Sequence, residues 1–121
     1  MIDEQEFLLP NTLSVMAKTF YVKTAKSLDQ DNWYLKPGSK VTGVKVIAQG
    51  EKIRDIKRLI RENPLPNGEL TKAEDWYKVR GTAFVTNGIE TFANCEIHWY
   101  QCENIGKIEL KVKKWGDKIE N

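Results

Sequence analysis

Glu96, His98 and Tyr100 alternate with Cys95, Ile97 and Trp99. After a short turn, Lys107, Glu109, Lys111 and Lys113 alternate with Ile108, Leu110 and Val112. Side chains of a strand point to opposite faces with period two, so the polar members of each run share one face of a paired unit. The only histidine of the chain then belongs to a lysine-rich sheet face. A carboxylate, an imidazole and several ammonium groups on one rigid surface are what metal-free phosphodiester cleavage requires: a base, an acid and a cradle for the anion. His98 is the candidate base or acid, because an imidazole is the side chain that changes charge near neutral pH. Glu96 or Glu109 is its candidate partner. Lys111 and Lys113 are placed to hold the phosphate, with Lys107 on the same face and Arg80 or Lys78 from the preceding strand as further contacts. Tyr100, Trp99 and Tyr77 are the aromatic candidates for stacking a base, an interaction of about 1–3 kcal/mol in single-stranded recognition.

Each of these residues also has a structural reading. Alternating lysines and glutamates on a strand commonly form a solvated face that protects an edge from pairing. Trp99 should point inward with Ile97, and Trp33, Trp76 and Trp115 read as packing residues. Arg54, Lys57, Arg58 and Arg61 follow the outer stripe of an amphipathic helix, which is a solubilising surface that can also reach RNA phosphates.

The elements that must position these groups belong to a chain of 121 residues, 40% hydrophobic and 30% charged. That composition fits one globular domain able to bury a core without staples. Nineteen Lys and Arg against seventeen Asp and Glu give +2, too mild an excess to indicate nucleic-acid binding by itself. The distribution says more. Residues 106–114 hold four lysines and one acid, whereas residues 1–6 hold three acids and no base. With a single histidine and no Cys-x-x-Cys pattern, no metal or other cofactor is expected. Cys95 reads as a buried thiol and Cys102 as an exposed one in a turn. No apolar stretch reaches membrane-span length, and the acidic start does not resemble a signal peptide, so a soluble chain without its own export signal is expected.

Asp3 with Glu6 has capping-box spacing, opening a short helix that ends near Pro10. Leu13, Met16, Ala17 and Phe20 predict a second helix running to about Leu28. Val41–Ala48 is a first strand ended by Gly50. From Glu51, Ile53, Ile56, Leu59 and Ile60 form one apolar stripe of a helix stopped by the loop around Pro64 and Pro66. Thr71 with Glu74 is another capping-box spacing. Three strands follow, over about 78–86, 89–100 and 107–115, with Asn87-Gly88 as a tight hairpin turn. A two-residue turn would set Val79 opposite Glu96 on one face, so one of the pair is misplaced unless a bulge intervenes near Phe92–Asn94. The expected fold is α+β, with N-terminal helices packed on a mainly antiparallel sheet of about four strands. A helical segment over 1–30 precedes a core over 36–115, in one domain over 1–121.

Five blocks carry a resemblance: Lys36–Ile47, Ile53–Ile60, Asp75–Gly81, Glu96–Tyr100 and Gly106–Lys113. Together they resemble the small C-terminal ribonuclease toxin domains of bacterial polymorphic and contact-dependent inhibition systems and their prophage relatives, grouped with the barnase, EndoU, colicin and RelE type of fold. The resemblance covers residues 36–115. It implies helices on one side of a four-stranded sheet and RNA, tRNA included, on the other. It further implies a cytoplasmic site of action, delivery as part of a larger toxin, and a cognate acidic immunity protein over the basic face. The start at Met1 departs from the usual position of such domains at the end of a long polypeptide. That keeps open a non-catalytic binding protein, whether an immunity partner or a phage-encoded inhibitor of a host defence complex, or a prophage assembly protein.

Overall fold

The computed structural model describes residues 19–28 and 32–119. Among them are eight strands: β1 (Thr19–Tyr21), β2 (Lys26–Ser27), β3 (Tyr34–Leu35), β4 (Lys40–Gln49), β5 (Trp76–Thr86), β6 (Thr91–Cys102), β7 (Gly106–Lys114) and β8 (Asp117–Ile119). One α-helix, α1 (Ile56–Glu62), lies between β4 and β5, flanked by 3-10 turns at Gly50–Lys52 and Ala73–Asp75. All strands join one antiparallel sheet built around the long β5–β6 hairpin. The free side of β5 takes β4 and, nearer the hairpin tip, β3; β1 lies outside β4 and β2 outside β3. The free side of β6 takes β7 and then β8.

This sheet overturns the expected α+β arrangement of N-terminal helices on four strands. The short helix predicted up to Pro10 lies outside the described residues, but the predicted helix to Leu28 fails over 19–28. There Phe20 and Val22 are buried while Thr19, Tyr21 and Lys23 are exposed. Period two, not 3.6, governs the segment, because pairing with β4 satisfies its backbone while burying alternate side chains. Nor does the layering implied by the toxin resemblance occur among the described residues: the one helix covers part of the same sheet face that carries His98.

Of the two ways out of the Val79–Glu96 conflict, the structure takes the bulge. Ala83 pairs with Cys95 but Val85 with Phe92, so β6 holds one extra residue, and Asn94 takes φ 58° there. Asparagine tolerates this left-handed conformation better than most residues. The turn is longer than predicted. Asn87 Oδ1 accepts the backbone N–H of Ile89 and of Glu90 at 2.9 and 2.7 Å, and Thr86 Oγ1 donates to the Glu90 carbonyl at 2.8 Å. These side-chain bonds hold a four-residue loop over 87–90 instead of a two-residue turn. Loop and bulge together set Val79 opposite Trp99, not Glu96.

One sheet face then carries Val79, Ala83, Ile97, Trp99 and Cys95, packed with Phe20, Val22, Leu35, Val41 and Leu110 in the larger core cluster. On the other face, Trp76, Tyr100 and Cys102 pack with Ile53, Ile56 and Leu59 at the end covered by α1. Ile53 and Leu59 are at most 1% exposed, and each contributes about 2 kcal/mol by burial. The capping box predicted at Thr71 does not form. Trp76 is wholly buried, so its indole N–H needs a partner, and Thr71 Oγ1 accepts it at 2.8 Å. Cys102 ends β6 and is buried, not exposed in a turn, because the chain reverses only at 103–105.

Candidate functional site

On the helix-bearing face, register assembles a row across four strands. Lys45 of β4 pairs with Arg80 of β5, Arg80 with His98 of β6, and His98 with Lys111 of β7. Directly paired residues project from the same face, about 5 Å apart. The rows on either side are Ala48, Lys78, Tyr100 and Ile108 toward α1, and Thr42, Thr82, Glu96 and Lys114 away from it.

His98 stands in neither hydrophobic cluster. Its Nε2 is 2.8 Å from Glu96 Oε2, and Arg80 Nε approaches the same oxygen at 3.4 Å. An ionised carboxylate only accepts, so Nε2 carries a proton, and whenever the ring is neutral its lone pair is on Nδ1. The hydrogen bond from His98, and then the Arg80 charge, hold the Glu96 carboxyl below the usual carboxylate range. Glu96 is thus the partner of His98. Glu109 is not: its two oxygens accept from Arg58 of α1 at 2.8 and 3.0 Å. Glu109 sits at φ 55° in a bulge of β7 between the His98–Lys111 and Tyr100–Ile108 pairs. A non-glycine residue in that region costs of order 1–3 kcal/mol, and the two-pronged bond to Arg58 helps offset it. Lys111, Lys78, His98, Tyr100 and Glu109 line one shallow depression.

The remaining predicted residues divide. Lys111 and Arg80 are beside His98 by register. Lys113 is exposed and is the extra residue of a second β7 bulge, between Ile97–Val112 and Glu96–Lys114. Lys78 lies 5.9 Å over the Tyr100 ring, one row closer to α1. Lys107 does not belong to this group: it pairs with Gln101, and its ammonium lies 5.1 Å over the ring of Phe20, which is in the core of the opposite face. The bulge at Glu109 breaks the simple alternation that had placed Lys107 with Lys111.

Tyr100 is not a stacking platform. It is 6% exposed beneath α1, and its hydroxyl donates to Asp55 Oδ2 at 3.0 Å. Burial, and then that bond, push its phenol up to about 12. A raised folded-state value gives stability that is complete below the ordinary phenol range near pH 10 and is lost as pH rises through about 12. Tyr100→Phe should cost about 1 kcal/mol at neutral pH and remove this alkaline loss, as read from urea midpoints between pH 8 and pH 12.

Sequence reasoning missed Lys45, Lys114 and the Asp55–Arg58 pair. The alternation around Val44 and Val46 was a usable signal for Lys45, whereas nothing in one dimension joins Arg58 to Glu109. No group of three His, Cys, Asp or Glu able to hold a metal occurs among the described residues, and none of their helices is long and apolar enough to cross a membrane. No protein-family model, curated protein or solved structure matches the chain.

Proposed function

We propose that the open sheet face binds an RNA strand and cleaves it without a metal, as the toxin domains resembled by the sequence do. The observation that carries this reading is the Glu96-held imidazole of His98 set between Arg80 and Lys111 in one cross-strand row. In this mechanism Nδ1 takes the proton of the ribose 2′-hydroxyl. The 2′-oxygen then forms a bond to phosphorus as the bond to the 5′-oxygen breaks, and the leaving oxygen is protonated from water. Lys111 and Arg80 offset the charge that builds on the phosphorane, and Glu96 holds the ring in the required tautomer and stabilises its charged form. An acidic immunity partner would cover the same cations, and the cytoplasm would be the site of action.

A second reading is favoured by one observation: the His98 side chain is only 10% exposed. A ring so covered suits a structural bond to Glu96 in a protein that binds without chemistry. Total RNA incubated with the protein in EDTA separates the two. Cleavage by the wild type and its loss in His98→Ala supports the nuclease; intact RNA with both proteins leaves the binder.

A further inference from the structure

We propose that this face is a track for a single nucleic-acid strand that crosses β7, β6, β5 and β4 at right angles to the strands, with Lys45 as its far phosphate contact. The proposal rests on the RNA reading above and adds the direction, the strandedness and a residue.

Charge supplies the first argument. Glu96 is shared by Arg80 and His98, and Glu109 is held by Arg58. Lys45, Lys78, Lys111, Lys113 and Lys114 form no ion pair with any described residue. The carboxylates on this face are thus occupied and the surplus is cationic, which complements a phosphodiester backbone.

Shape supplies the second. The row from Lys111 to Lys45 crosses three inter-strand gaps, about 14 Å, which is the reach of a few nucleotides. Toward one side the next row holds Lys78 with Tyr100 and Ile108, which pack against α1; on the other Lys114 stands beside Glu96. Each flanking row thus holds a single lysine, so the continuous line of cations is the central row alone, which meets one backbone, whereas a duplex presents two across a groove. Lys45 reaches the row only through local backbone geometry. Thr42 pairs with Thr82 and Lys45 with Arg80, so β4 bulges by one residue beside Gly43 at φ 61°. Without that bulge, Val44 would occupy the position.

The test is fluorescence anisotropy with a labelled single-stranded DNA of about twelve nucleotides, which lacks the 2′-hydroxyl and is not consumed by that chemistry. Its duplex form and phosphatidylserine-containing vesicles serve as rival ligands. Lys45→Ala and Lys111→Ala should each reduce the log–log salt slope by about 0.7, and the double variant by about 1.4. Lys45→Arg should keep the wild-type slope, as should Lys118→Ala, whose lysine pairs with Glu90 elsewhere. An unchanged slope in Lys45→Ala overturns the proposal, as does tighter binding of duplex or vesicles than of the single strand. RNA cleavage with an unchanged Lys45→Ala slope sinks the track alone; a reduced slope with intact RNA sinks the cleavage reading alone.

Discussion

His98→Gln lowers the rate of RNA cleavage by about 10²–10⁴-fold, the range expected for removal of a general base. Glutamine keeps an N–H able to donate to Glu96, so the contact that orients position 98 survives while the ring lone pair is lost. Folding should therefore change little, and a thermal melt run beside the rate measurement shows it. Glu96→Gln leaves the shape but no longer dictates which ring nitrogen holds the proton, and it should cost at least about tenfold. Substrate cleaved at the wild-type rate by His98→Gln would remove the imidazole from the chemistry.

Gly116→Ala destabilises the fold by about 3 kcal/mol, read as a lower urea midpoint with an unchanged slope. A Cβ built on Gly116 would lie 1.8 Å from the Ala93 carbonyl oxygen and 2.6 Å from the Asn94 carbonyl carbon. Both are backbone atoms of the β6 bulge, which cannot swing aside as a flexible side chain can. The link between β7 and β8 passes over this bulge, donating the Gly116 N–H to Cys95 Sγ at 3.4 Å, while Asn94 Nδ2 donates to Asp117 Oδ2 at 3.2 Å. The bulge also sets the parity of β6, so loosening it weakens the register that holds His98 opposite Arg80 and Trp99 opposite Val79. Cleavage in this variant should fall with the folded fraction, in contrast to His98→Gln.

Particular residues show where one-dimensional reading worked. The alternation around His98 and Trp99 placed one on the polar face and the other in the core, because period two is imposed by the strand itself. The conflict between Val79 and Glu96 exposed a parity problem, since charge and hydrocarbon do not share a buried face, but only the structure decided that a bulge near Asn94 removes it. The same alternation misled at Lys107. One left-handed residue, Glu109, reverses the parity of β7, and glutamate carries no sequence signal for that conformation. The segment from Thr19 misled for a related reason: apolar spacing over a few residues fits a helix as well as a strand until a partner strand is known.

By itself the sequence determined which residues could do chemistry and which sheet face several of them share, because side-chain type and strand period are local properties. Tertiary structure decided the company each one keeps. Register brought Lys45 and Arg80 beside His98, and α1 turned Arg58 toward Glu109 and covered Tyr100. Those pairings join residues far apart in the chain through backbone hydrogen bonds that every residue but proline offers alike, and only the bulges and loops between strands select among them.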